Sequence, residues 1–371
     1  MTAEARHWLE LIRELPLDRH IKIMNVCGGH ERSISQAGLR ALLPRQVEII
    51  PGPGCPVCIC PEEDLYQALR LALDEQALLL AFGDMLRVPV NLPRSQPRSL
   101  EAARASGADI LPIASPMEAV AIARQHPERD VVFFAAGFET TMAPVAALLS
   151  QDLPPNLSLL ISGRLTWPAI AMLLESERCE FDGLIAPGHV ATIMGPEEWQ
   201  FVPKQHSVPA AVAGFTPESL LAAIYSCLRQ TLESRPFLDN CYAEVALPHG
   251  NPTAQRLLVN AFDVTAANWR GIGALPRSGF NLRAVHRQHD ARERFPDHTS
   301  DSRRRAGEMP PGCACAKVVM GQIYPNQCPL YGRGCTPRNP VGPCMVSDEG
   351  ACRIWWASGV RTRIEAPTCP D

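Results

Sequence analysis

Apolar runs of strand length recur through the first two thirds of the chain, at residues 21–26, 47–50, 77–82, 109–113, 130–135, 157–161, 183–186 and 210–213. Between them, 61–73, 99–106, 116–124, 141–149, 167–175 and 217–232 carry apolar residues at helical spacing on an otherwise polar background. Solid apolar runs alternating with amphipathic helices predict α/β layers built on parallel sheets, whose strands are covered on both faces. Beyond Asn251 the pattern breaks down into a helical 252–262, a highly charged 288–305 and a block rich in cysteine, proline and glycine. That block reads as a separate lobe stabilised by a ligand.

The strand ends matter most. Cys27-Gly28-Gly29-His30, Gly52 to Cys58, Gly137 to Thr141 and Pro187-Gly188-His189 each follow an apolar run. Open α/β sheets bind ligands beyond the carboxyl ends of their strands, so these loops are expected to converge on one cleft.

Composition narrows the class. With 371 residues, 46% hydrophobic and 20% charged, the chain has enough material for two or three folded domains. A net charge of −4 argues against a chain whose main work is binding nucleic acid. No uncharged apolar run reaches the roughly 18 residues a membrane span needs, and residues 1–17 mix acids, bases and proline, so a cytoplasmic location is expected. Cysteine is the outlier. Ten of 14 fall in two windows, Cys27, Cys55, Cys58 and Cys60 in one, Cys313, Cys315, Cys328, Cys335, Cys344 and Cys352 in the other. Clustered thiols in a reducing compartment point to metal ligands or redox centres.

In the second window Cys315, Cys328, Cys335 and Cys352 are separated by 12, 6 and 16 residues in a segment poor in aliphatic side chains. Such a segment needs a source of stability other than apolar burial, and four thiolates suit a [4Fe-4S] cluster or a zinc ion, with disulfides as the remaining alternative. Paired zinc knuckles are absent, and Cys313 and Cys344 leave the choice of ligands open.

In the first window, Cys27 and His30 across a diglycine form a partial donor set for a soft or borderline metal, or else a glycine turn with a buried thiol and a surface imidazole. Cys55 and Cys58 form a C-x-x-C ahead of a helix that opens Pro61-Glu62-Glu63-Asp64, where the helix dipole favours thiolate, as in redox-active pairs. The surroundings match neither a thioredoxin domain nor a radical-SAM cluster loop. Asp84, Glu139 and His189 are candidates for a cleft carboxylate or an acid/base group, and Thr140 or Thr141 for a helix cap. The glycines match neither a P-loop nor a dinucleotide fingerprint.

Together CGGH at 27–30, GPGCPVC at 52–58, FGDMLRVP at 82–89, GFETT at 137–141, WRGIG at 269–273 and CTPRNPVGPCMVSDEGAC at 335–352 resemble the hydrogenase maturation factor HypD family along nearly the whole chain. The resemblance implies two related parallel-sheet α/β domains around a cleft, drawn at 1–120 and 121–245, and a Cys-rich [4Fe-4S] domain at 246–371. It implies a scaffold on which the Fe(CN)₂CO group of [NiFe]-hydrogenase is assembled with a HypC-like chaperone and a HypE-like cyanide donor. Carried over, Cys27 would hold the iron with His30 beside it, Cys55 and Cys58 would be the redox pair, and Cys315, Cys328, Cys335 and Cys352 the cluster ligands. The chain departs from the family where EVCGGHTH becomes Asn25-Val26-Cys27-Gly28-Gly29-His30-Glu31-Arg32, and Cys60 stands where a threonine is common. A freestanding dithiol oxidoreductase and a zinc-stabilised binding module are the competing functions.

Overall fold

The computed structural model describes residues 1–176, 181–296 and 309–362. The eight apolar runs all become strands: β1 (Ile21–Asn25), β2 (Val47–Pro51), β3 (Leu78–Phe82), β4 (Ile110–Ile113), β5 (Val131–Gly137), β6 (Leu157–Arg164), β7 (Gly183–Pro187) and β8 (Ala210–Ala213). Three more strands follow, β9 (Leu238–Cys241), β10 (Phe262–Trp269) and β11 (Gly273–Leu282).

The first sheet runs β2-β1-β7-β8-β9 and is parallel throughout, with Ile23 opposite Ile49 and Met24 opposite Leu184. The second runs β10-β11-β6-β5-β3-β4; four strands are parallel, and the β10–β11 hairpin closes it antiparallel against β6. Every residue of β5 and β6 is buried, as a parallel sheet covered on both faces requires.

The sheets correct the linear domain boundaries. β1 pairs with β7 across residue 120, β3 pairs with β5 across it, and the hairpin beyond residue 246 completes the second sheet. The chain begins one sheet, leaves to build most of the other, returns, and crosses once more. Register explains this: β1 finds its second apolar neighbour only in β7, more than 150 residues later.

The cysteine block packs directly on the α/β part of the chain. Cys315, Cys328, Cys335, Cys344 and Cys352 share one hydrophobic core with Cys55, Cys58 and the helix Glu62–Leu73. Helix Ala351–Ala357 is tied to helix Gly28–Gln36, where Trp355 donates to Glu31 Oε1 at 2.7 Å. The part of the charged stretch that is described straps the second sheet: Arg292 pairs with Asp64 at 2.9 Å, and buried His289 lies 2.8 Å from the Leu157 carbonyl. Residues 297–305 of it lie outside the described residues. No helix among the described residues is long and apolar enough to cross a membrane.

Candidate iron and thiol centre

β1 ends at Asn25, and the chain turns through Val26 and Cys27 into a helix that Cys27 precedes as its N-cap residue. Close approach makes the turn specific. A Cβ on Gly54 would lie 1.3 Å from the Val26 carbonyl oxygen, so the GPGCPVC loop runs flush against the Cys27 loop. A backbone carbonyl cannot yield, so Gly54→Ala is expected to cost about 3 kcal/mol, measured as a lowered urea midpoint. Gly28 and Gly29 do the same on the other side, where added Cβ atoms would meet the Glu349 backbone at 2.5 Å and the Phe215 ring at 2.8 Å.

Cys27 is half-buried and unbridged. Packing around its sulfur pushes the thiol up to about 12 and the Glu349 carboxylate adds to the rise, against hydrogen bonds from the His30 and Gly29 backbone. The group is therefore a neutral thiol at neutral pH, and a metal that binds it must displace the proton.

His30, the expected companion of Cys27, lies inside the fold. It is fully buried, with Nε2 2.9 Å from the Ala213 carbonyl and Nδ1 3.1 Å from Asn25 Oδ1. Both ring nitrogens face carbonyl oxygens, and a neutral imidazole, with its single N–H, donates to one of the two. Burial holds its pKa down near 3, so the imidazole is neutral. Asn25 Oδ1 also accepts the Cys27 N–H at 3.3 Å, so His30 positions the loop. Glu31, buried, lies 3.4 Å from the Asn25 amide nitrogen and pairs with Arg40 at 2.7 Å. His189 stacks on Phe215 at 3.8 Å, and the same ring packs against His30.

Cys55 and Cys58 are joined as a disulfide, and the Cys58 N–H donates to Cys55 Sγ at 3.1 Å. Cys27, Cys55, Cys58 and Cys344 line one narrow crevice with Glu31 and Glu349. Cys60 is sealed on another side, 3.4 Å from Ser162 Oγ, its thiol pushed up to about 12 by burial and by nearby Asp64. Next to the crevice opens a cleft of about 720 Å³, walled by Pro56 and Val57 of the disulfide loop, Asp84 after β3, Thr141 after β5, and Asp348 and Glu349. The carboxyl ends of both sheets thus meet in one place. Asp84 belongs to it, accepting from Ser347 at 2.9 Å.

Glu139 does not. It is fully buried and accepts from the Thr166 N–H at 2.6 Å and hydroxyl at 2.7 Å, a brace between two loops. Neither Thr140 nor Thr141 caps the helix, which begins at Glu139 after Phe138. Burial pushes Glu139 up to about 7 despite the Thr166 bonds, and Glu198 next to it is raised as well. A carboxyl with a native pKa above its ordinary 4.5 binds its proton more tightly when folded, so stability falls as pH rises from about 4.5 to 7. Glu139→Gln is expected to remove up to roughly 3 kcal/mol of that fall, read from urea midpoints at about pH 5 and pH 7.5.

In the cysteine block, the Sγ atoms of Cys315, Cys344 and Cys352 lie within 4.8 Å of one another, all buried. Two of the expected quartet are therefore together, and the third partner is Cys344. Cys328 and Cys335 lie within electrostatic reach of Cys313 and Cys315, and the Val341 N–H donates to Cys335 Sγ at 3.3 Å. Cys344 is held down to about 5, first by a hydrogen bond from Cys315 and then by one from Cys352. A Cβ on Gly342 would fall 2.4 Å from Cys313 Sγ and 2.5 Å from Cys315 Sγ, so the glycine leaves room for the sulfurs alone. An all-sulfur donor set, buried and with space kept for it, fits a metal or an iron–sulfur cluster.

A sulfur-lined crevice at the carboxyl ends of interleaved parallel sheets, backed by a buried thiol cluster compatible with metal binding, defines a thiol-rich α/β protein. Residues 3–359 match the family model HypD, described as the hydrogenase formation hypA family, and the chain belongs to that family. It is 37% identical over 346 residues to the hydrogenase maturation factor HypD of Rhodobacter capsulatus, covering 92% of this chain and 90% of the relative. It is 38% identical over 350 residues to the HypD of Azotobacter vinelandii, at 92% and 90% coverage. A putative hydrogenase expression/formation protein of Methanocaldococcus jannaschii is 37% identical over 340 residues, at 91% of each chain.

Proposed function

We propose that this chain is a hydrogenase maturation scaffold on which the Fe(CN)₂CO group is assembled, working in the cytoplasm with a HypC-like chaperone and a HypE-like cyanide donor. The observation that carries this reading is the crevice shared by Cys27, the Cys55–Cys58 disulfide and Cys344. A lone thiol, a redox pair and the edge of a thiol cluster around one small space suit a soft ferrous centre that must be held and kept reduced. Membership of the HypD family supports the same reading.

Cys27 is the iron-holding ligand, and iron displaces its proton. His30 and Asn25 fix the loop on which it sits. The dithiol form of Cys55 and Cys58 supplies reducing equivalents beside it. Four of the six clustered thiols, drawn from Cys315, Cys328, Cys335 and Cys352 with Cys344 and Cys313 beside them, hold a [4Fe-4S] cluster, which when bound stores electrons singly. The adjoining cleft, which shares Glu349 with the crevice, receives the partner segment that brings the ligands.

Infrared spectroscopy of the anaerobic protein purified with its HypC-like partner tests this. Cyanide and carbonyl bands on iron are expected. A complex that holds iron without those bands while turning over small disulfides would instead make the chain a dithiol oxidoreductase.

A further inference from the structure

We propose that Arg270 sets the reduction potential of the iron–sulfur cluster in the cysteine block, an inference that rests on the cluster reading above. The guanidinium is wholly buried. Its Nη2 is shared between Glu62 Oε2 at 3.1 Å and the Pro89 carbonyl at 2.8 Å. Among the described residues, Nε and Nη1 have no hydrogen-bond partner. A buried cation with two idle donors is a costly arrangement unless an acceptor is to come.

The cysteine block lies beside these donors. Burial is the main influence on the guanidinium, and after Glu62 its anionic neighbours are Cys60 and then Cys315 and Cys313 of the cysteine block. The next residue, Gly271, lies so close to the cysteine block that its Cβ would sit 2.6 Å from Ala316 Cβ. The Arg270 N–H donates to the Ile59 carbonyl at 2.9 Å, so the residue bridges the disulfide loop and the thiol cluster. Four thiolates leave an oxidised [4Fe-4S] cluster with net negative charge, and one added electron increases it. A fixed buried cation and N–H donors to sulfur stabilise the more negative form, and both raise the potential. Glu62 opposes this by neutralising part of the cation.

Redox titration of the reconstituted full chain, with dithionite as the electron donor and the reduced cluster followed by electron paramagnetic resonance, tests the assignment. Arg270→Met is expected to lower the one-electron equilibrium constant about tenfold or more, a shift of about 59 mV to lower potential. Arg270→Lys, which keeps the charge, stays near the unsubstituted protein, and Glu62→Gln moves the midpoint upward. If Arg270→Met does not fold because Glu62 is left unpaired, Arg270→Met/Glu62→Gln removes both charges and is still expected to shift downward. A cluster of unchanged midpoint in the Met variant, or equal shifts in Met and Lys, overturns the role of Arg270 alone. An unsubstituted protein that takes up no iron and sulfide overturns the cluster reading with it.

Discussion

Cys27→Ala protein, isolated anaerobically with its HypC-like partner, will lack the cyanide and carbonyl bands and keep the full visible absorbance of its cluster. The expected loss is close to complete, to below about a tenth of the unsubstituted signal, because Cys27 is the crevice thiol that belongs neither to the disulfide nor to the buried thiol cluster. Cys55 and Cys58 are bonded to each other, Cys344 sits with Cys315 and Cys352, His30 is fully buried between Asn25 and Ala213, and Cys60 lies beside Ser162. The cluster survives because Cys27 is not one of its thiols. Undiminished bands in this variant would remove Cys27 from the ligand role.

The second large effect is expected from Cys352→Ala. Cys352 belongs both to the spacing-based quartet and to the triad within 4.8 Å. Its loss should take the iron and acid-labile sulfide with it and broaden or abolish the cooperative thermal transition. Binding of a structural metal contributes on the order of 10 kcal/mol to folding in small metal-dependent units. The effect will not stay local, since Cys352 shares a core with Cys55, Cys58, Leu65 and Leu69. Metal and sulfide analysis beside a thermal melt reads both consequences, and full cluster content in this variant would exclude Cys352 as a ligand.

Much of this fold is legible in the chain because strands covered on both faces are solidly apolar. Residues 130–135 read as a strand, and the strand runs Val131–Gly137. The β10–β11 hairpin is not legible, because its outer strand alternates irregularly and carries a register shift between Thr265 and Ala267. Pairing across long separations is equally hidden: nothing near Ile23 announces Gly183. In the site, residue types give the chemistry of Cys27 and the C-x-x-C, since thiols at strand ends are rare. They do not give Cys344, which spacing cannot rank above Cys335, nor Glu349, which becomes a neighbour of Cys27 only through folding. Arg270 looks like any surface charge in WRGIG until its burial is seen. Glu139 shows the converse, a strand-end carboxylate occupied in bracing Thr166.

The interleaved sheets bear on how the protein is made. During synthesis β1 and β2 leave the ribosome long before β7, their third partner, exists, and the walls that Glu349 and Trp355 give the Cys27 helix come later still. A nascent or prematurely terminated chain therefore presents the Cys27 loop without its walls, and only a polypeptide translated almost to its end can complete that crevice.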